Sequence, residues 1–427
     1  MKPLAAAALA LMVALPVMAE NRIDRIRPDA PALAPYGDHP VGVRQMTFTR
    51  QDAIDVVNAT EGNLPTHDRA ITVEVWYPAA EDATPGTTYT AFLRDGVTEI
   101  ELTGRAARDA APAADGPFPL VVVSHGYPGN RFLMSPLAEN LASKGYVVAS
   151  IDHPDSTYDD LGAFGSTLYH RPLDQAFVLD EMATLDGDLG AVIDGGNAAV
   201  IGYSMGGYGA LIFAGGGIDT APLSQAFAPP GRILSRHQAG SDAHAALPDP
   251  RVKAVIAIGP WGRNRDFWSE QGLSRIDVPV LLMAGGVDDV SRYDAIRKIF
   301  AEMTGTTRHL LTFDDANHNA AAPMPAPDEA WQIQPGADKA TFDHYADPVW
   351  DSVRMNNIAQ HFATAFLDLH LKGMDDRQDY LTLTEDAGGG LWSMAEDGTP
   401  EDDHTYWQGF QNRSAAGLRF ETLSSAH

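Results

Sequence analysis

Residues 198–206, AAVIGYSMG, carry the decision about the fold. An unbroken apolar run feeds directly into Gly202-Tyr203-Ser204-Met205-Gly206, a G-x-S-x-G match, and residues 205–214 (MGGYGALIFA) continue as a helix. A serine between a buried strand and a helix stands on a sharp turn at the carboxyl edge of a sheet, with glycines where side chains would collide. The five-residue pattern alone is weak in a chain with 39 glycines. Its strand-to-helix setting gives it weight.

Further apolar runs lie on either side, at 119–124 (PLVVVS), 146–151 (YVVASI), 252–258 (VKAVIAI) and 278–284 (VPVLLMA), with a shorter companion at 308–313 (RHLLTF). Runs without alternation read as strands buried on both faces of a parallel sheet. Helix-length segments separate them at 132–144, 173–185, 205–214 and 294–303. The last, 350–371, spaces Val353, Ile358, Phe362, Phe366 and Leu369 along one face. Ahead of these, 41–49 and 70–78 (AITVEVWYP) alternate apolar and polar residues, as half-buried antiparallel strands do. The pattern predicts one α/β domain over residues 20–372, doubly wound on a mostly parallel sheet. Three stretches fall outside it. Residues 215–250 and 319–348 read as lid insertions, whose Phe227, Ile233, Leu234, Met324 and Trp331 supply apolar surface to roof the sheet edge. Residues 373–427 read as a C-terminal extension packed on the same domain.

Composition narrows the function. The chain has 427 residues, 44% hydrophobic, with 30 basic against 57 acidic side chains and a formal charge of −27. Such a surface repels phosphate backbones and anionic headgroups, which argues against nucleic-acid or membrane-surface binding and in favour of neutral substrates. The absence of cysteine removes disulfides, thiolate nucleophiles and Cys-based metal sites. No dinucleotide turn, Walker loop or H-E-x-x-H occurs, so neither cofactor nor metal is expected, and 375–379 (DDRQD) reads as a solvated face. At the N-terminus, Lys2, the apolar run 4–17 and Val17-Met18-Ala19 match an export signal cleaved after Ala19. The run is short of the roughly 20 residues a membrane span needs.

A serine nucleophile needs a base, and the base needs an orienting carboxylate. Of nine histidines after Ser204, only His318 is expected in a loop after a strand; His361 and His370 fall on the last helix and are expected at its surface. Asp288 and Asp289 follow the run at 278–284. Asp288 is preferred because it falls three residues after Gly285, at the strand-end turn. Asp314 and Asp315, beside the base, read as loop caps.

These residues resemble the α/β-hydrolase superfamily over roughly 41–371, and within it the dienelactone-hydrolase-like and platelet-activating-factor acetylhydrolase group. The marks are VEVWYPA, VVVSHGYPGNR, GYSMGG, AIGPW, LLMAGGVDD and DDANH. The HGY loop, the elbow and the Trp of GPW are also similar to secreted polyester-degrading cutinases. The resemblance implies an oxyanion hole made by the N–H groups of Tyr127 and Met205, with Tyr127 and Trp261 lining the substrate cleft and His125 shaping the loop. Two departures limit it. Dienelactone hydrolases use a cysteine nucleophile, absent here. Compact cutinases lack the long segments at 215–250, 319–348 and 374–427.

The expected protein is an exported serine carboxylic-ester hydrolase with an apolar, enclosed pocket for small neutral esters, working without a cofactor. Rival readings are a lipase or cutinase-like polyesterase, a phospholipid acetylhydrolase, a serine peptidase or acyltransferase on the same machinery, and a non-catalytic binding protein on this scaffold.

Overall fold

The computed structural model describes residues 20–426, and the export signal read at 1–19 lies outside the described residues. A two-residue strand, β1 (Asn21–Arg22), comes first. β2 (Val41–Ile54) and β3 (Thr66–Pro78) pair antiparallel, from Val41 opposite Pro78 onward. β4 (Thr88–Phe92) and β5 (Glu99–Thr103) form a hairpin that β1 completes as a separate three-stranded sheet. β6 (Ala107–Arg108) returns to the edge of the main sheet beside β2.

The apolar runs then supply six parallel neighbours: β7 (Phe118–Ser124), β8 (Val147–Asp152), β9 (Ile193–Tyr203), β10 (Val252–Ile258), β11 (Val280–Gly285) and β12 (Arg308–Phe313). The ten-stranded sheet runs β13-β12-β11-β10-β9-β7-β8-β3-β2-β6. Its last member, β13 (Leu418–Leu423), comes from the C-terminal extension and pairs antiparallel with β12. Alternate side chains of the same strands feed two cores. Val121 and Val123 pack with the helices Ser135–Ser143 and Ser352–Lys372; Leu120 and Val122 pack with Phe164–Ala183 and Met205–Phe213. Each fully buried Val or Leu contributes about 1.5–3 kcal/mol, which is why these runs contain no polar alternation.

The chain leaves β7 for β8 on one side and returns to β9 on the other. The order therefore reverses between β7 and β9, and a crevice opens there at the carboxyl ends of the strands. Four of the sequence-predicted site residues follow strand ends at this edge: Tyr127 after β7, Ser204 after β9, Asp288 after β11 and His318 after β12.

Two expectations are revised. The second helix begins at Phe164, well before residue 173, and runs through Pro172. Proline cannot donate to the Leu168 carbonyl four residues back. The Tyr208 hydroxyl donates to that carbonyl instead, at 3.1 Å, so the helix survives. His361, expected at a helix surface, is fully buried: its Nδ1 accepts the Leu33 N–H at 3.1 Å, and Phe410 stands edge-on to its ring. The N-terminal segment and the C-terminal extension cover the outer face of this helix, through Arg27 N–H to Asn357 and through Phe410 and Phe420 against Phe362. The insertions also spend their apolar residues inward. Ile233, Leu234 and Met324 are buried in the core, whereas Trp331 is 62% exposed.

The buried histidines set an acid limit on stability. Burial lowers His153, His344 and His361 to about 3, and His237 and His309 to about 4. Each stays neutral in the native state and takes up a proton near pH 6.5 only when unfolded. The unfolded state thus binds more protons below that pH, and each such group removes about 1.4 kcal/mol of stability per pH unit as pH falls. Urea unfolding should show a steep loss of stability between pH 6.5 and pH 4. A flat profile over that window would refute neutral burial.

Candidate active site

The strand-to-helix turn is built by exclusion. Ser204 has φ 52° and ψ −110°, a left-handed conformation that costs a non-glycine residue about 1–3 kcal/mol. It persists because the surroundings permit nothing else. A Cβ on Gly202 would overlap the backbone of Gly206, and one on Gly206 would overlap the carbonyl oxygen of Ser124 on β7. The Ser204 N–H donates to Ile258 O at 2.8 Å, and its carbonyl accepts from Tyr208 N–H at 3.0 Å and Trp261 N–H at 3.2 Å. The helix N-terminus and the ends of β9 and β10 thereby hold the serine from both sides.

His318 and Asp288 meet it. Ser204 Oγ lies 3.0 Å from His318 Nε2, and His318 Nδ1 lies 2.8 Å from Asp288 Oδ2. The second Asp288 oxygen accepts the N–H groups of Val290 at 2.9 Å and Ser291 at 2.8 Å, which fixes the buried side chain with its other oxygen facing His318 Nδ1, the ring nitrogen that donates to it. That leaves Nε2 free to accept the serine proton. Asp289 is exposed and does not reach His318; its N–H donates to Asn317 Oδ1 at 3.0 Å.

Two residues absent from the sequence reading complete this frame. Asn317 Oδ1 accepts from both Asp289 N–H and His318 N–H, at 3.0 and 2.7 Å, which ties the acid loop to the base loop. Asp347, 30 positions later, accepts the Asn317 N–H at 2.7 Å. An asparagine beside a histidine carries no signal of this in sequence, because its partner comes from a distant insertion.

The loop after β7 is oriented by a buried charged network. Asp174 receives Arg69, Arg50 and His153. Burial opposes ionisation of Asp174, but Arg69, the His153 bond and Arg50 hold its carboxyl well below the usual range. His153 N–H donates to His125 Nε2 at 3.2 Å, and His125 Nδ1–H donates to Gly126 O at 2.7 Å. Burial, then Arg171, keeps His125 neutral, as these bonds require. Arg171 donates to His125 O at 2.5 Å and to Gly126 O at 3.4 Å. In a planar trans peptide the C=O and N–H point in opposite directions. Holding the Gly126 carbonyl inward therefore aims the Tyr127 N–H outward. Neither the Tyr127 N–H nor the Met205 N–H has an acceptor among the described residues. Unpaired backbone donors beside a buried serine are uncommon, and two of them suit an oxyanion.

Comparisons with known proteins find similarity to esterases. Residues 36–160 match the family platelet-activating factor acetylhydrolase, isoform II, and residues 110–226 match the PET hydrolase-like family; both spans end before Asp288 and His318. Over 217 residues, 49% of the chain, the sequence is 25% identical to Cutinase 1 of Thermobifida cellulosilytica, covering 63% of that protein. It is 26% identical over 218 residues to Cutinase est2 of Thermobifida alba, covering 49% of this chain and 55% of the relative. The matched region thus spans less than two thirds of these relatives. A ferulic acid esterase from Streptomyces cinnamoneus superposes with a TM-score of 0.55 at 21% identity, over 83% of this chain and 94% of its own. The chain has the α/β-hydrolase fold.

A cavity of about 500 Å³ opens over Ser204 and His318. Tyr127 and Tyr203 line one part of it, and Asn319, Phe342 and His344 of the second insertion another. Apolar surface makes up most of the walls, and Arg94, Asn317, Asp343 and Asp347 also reach the cavity. The first insertion contributes none of the lining. Trp261 also stands outside it, its ring turned into an aromatic cluster with Phe164 at 5.5 Å and Phe267 at 5.2 Å. Among the described residues no group of three or more His, Asp or Glu side chains is disposed to hold a metal ion.

The turn gives a direct stability test. Gly206→Ala should destabilise the fold by more than about 3 kcal/mol in urea unfolding, because the new methyl meets backbone that cannot yield. Gly389→Ala, with open space around its Cβ position, should stay within about 0.5 kcal/mol. Equal effects would mean that the close approach at Gly206 is absent in solution.

Proposed function

We propose that this α/β-hydrolase is an exported serine carboxylic-ester hydrolase acting on small esters through an acyl-enzyme. The observation that carries the reading is the unbroken chain Ser204 Oγ, His318 Nε2, His318 Nδ1, Asp288 Oδ2, opening into a cavity, with an unpaired N–H on Tyr127 of its lining and another on Met205 next to the serine. Ser204 Oγ attacks the ester carbonyl as its proton passes to His318 Nε2. Asp288 holds the Nδ1–H tautomer and offsets the imidazolium charge. The N–H groups of Met205 and Tyr127 receive the oxyanion, an interaction worth about 3–4 kcal/mol for each such donor. The tetrahedral intermediate collapses, the C–O bond to the alcohol breaks, and His318 returns the proton to the leaving oxygen. Water then attacks the acyl-Ser204 by the same route, releasing the acid and restoring the serine. The likeness to cutinases and to a ferulic acid esterase supports ester rather than amide substrates. The export reading rests on Lys2, the apolar run 4–17 and Val17-Met18-Ala19, and predicts a mature N-terminus at Glu20.

Substitutions test the roles. Ser204→Ala and His318→Ala should each lower nitrophenyl-ester turnover by on the order of 10⁴-fold or more, and the double variant should lose no more than either alone. Asp288→Asn should lose on the order of 10³–10⁴-fold by permitting the wrong tautomer, and Asp289→Asn less than about tenfold. A reversed ranking of the two aspartates would move the acid to Asp289.

Chain length tests the cavity. Esters with C2–C6 acyl chains should be cleaved well and those of C12 or longer poorly, since Arg94, Asn317, Asp343 and Asp347 on the cavity walls leave a long chain no continuous apolar bed. Efficient cleavage of long-chain esters, or of insoluble polyester film, would replace the small-ester reading with a lipase or polyesterase.

A further inference from the structure

Among the described residues, Arg94 is the only lysine or arginine that lines the cavity over Ser204. It belongs to the turn between β4 and β5, where its backbone N–H donates to the Tyr345 hydroxyl at 3.0 Å. Its guanidinium has no hydrogen bond, ion pair or ring stack among the described residues. Other arginines of this chain that are withdrawn from solvent are matched: Arg69 by Asp174 and Asp155, Arg263 by Glu302, and Arg171 by the carbonyls of the β7 loop. With 57 acidic side chains against 30 basic ones, a carboxylate should be easy to supply. This guanidinium has none.

The carboxylates on the same cavity have other partners or are exposed. Asp347 accepts the N–H groups of Asn317, Val349 and Trp350 at 2.7–2.9 Å. Asp343 pairs with Lys339 at 2.9 Å, and Asp289 is exposed on the loop after β11. His344 adds no second charge: burial and the Arg94 field push it down to about 3, and its Nε2 meets the Tyr158 hydroxyl at 2.7 Å. The same field acts on the Tyr127 hydroxyl, and Arg94, Tyr127 and Ser204 line one cavity. The overall charge of −27 does not decide the matter at contact distance, because charges beyond the Debye length of about 8 Å are largely screened.

We infer that Arg94 receives an ionised carboxylate of the substrate, so that the preferred esters carry a free acid group a few atoms from the ester. The planar fork of a guanidinium matches a carboxylate through two parallel N–H bonds, which fixes the ester over Ser204 as well as holding it. The inference rests on the proposed ester-hydrolase reading and replaces neutral esters, expected from the net charge, with monoanionic ones.

The test compares anionic with neutral esters as a ratio of kcat/KM. The acyl-side pairs are the monomethyl against the dimethyl esters of succinic, glutaric and adipic acid; the alcohol-side pair is 3-acetoxypropionate against propyl acetate. In at least one pair the anion-to-neutral ratio should fall tenfold or more in Arg94→Gln, through KM rather than kcat, with partial recovery in Arg94→Lys. A smaller fall in every pair overturns the inference. Labelling of Ser204 by a fluorophosphonate in each variant reports an intact site. An unlabelled wild type that turns over neither ester refutes the hydrolase reading itself, whereas labelled protein with unmoved ratios refutes only the role of Arg94.

Discussion

The close approach of Gly206 to the carbonyl of Ser124 is the contact from which the site follows. It lets the helix Met205–Phe213 begin directly against the end of β7, which leaves Ser204 no conformation but a left-handed one. The strain of that conformation is met by hydrogen bonds to the end of β10, to the loop after it and to the helix start. Because β7 and β9 are adjacent and parallel, the same contact brings the loop after β7 beside the serine. The candidate nucleophile and the candidate oxyanion donor at Tyr127 are thus set by one packing event.

Charge inside this acidic protein is arranged against its overall sign. Behind the β7 loop, Arg50, Arg69 and Arg171 surround Asp174 and the two neutral histidines, and the loop's carbonyls are tied to that cluster. Removing one partner from such a network would strand a buried charge, which costs far more than an exposed ion pair contributes. The network therefore holds the loop rigidly in a region that carries no regular secondary structure. The cavity follows the opposite pattern: Arg94 is left without a partner at the place where a substrate would enter.

The chain ends contribute to the core as much as the strands do. Phe410 and Phe420 pack on Phe362, and residues 25–33 bond to Asn357 and His361, so the helix Ser352–Lys372 is enclosed nearly all round. Its pattern of apolar residues alone reads as a one-sided surface helix. The histidine on its outer face is buried because segments more than 40 residues away in either direction close over it.

Local periodicity and turn chemistry were enough to read the six parallel strands and the serine elbow, because each depends on neighbours within about ten residues, whereas the choice of Asp288 and His318 also used the order Ser, Asp, His of the hydrolases that the chain resembles. The preference for Asp288 over Asp289 was also legible, since the strand-end turn decides which of two adjacent carboxylates points inward. The Asn317–Asp347 clamp, the burial of His361, the outward turn of Trp331, the withdrawal of Trp261 into an aromatic cluster and the arrival of Arg94 in the cavity were not. Each joins residues from separate elements, and no spacing along the chain encodes which of many apolar or polar side chains will meet. Sequence determined the elements and the chemistry they can carry; tertiary packing decided what surrounds that chemistry, because burial and pairing are properties of the assembled neighbours rather than of any one segment.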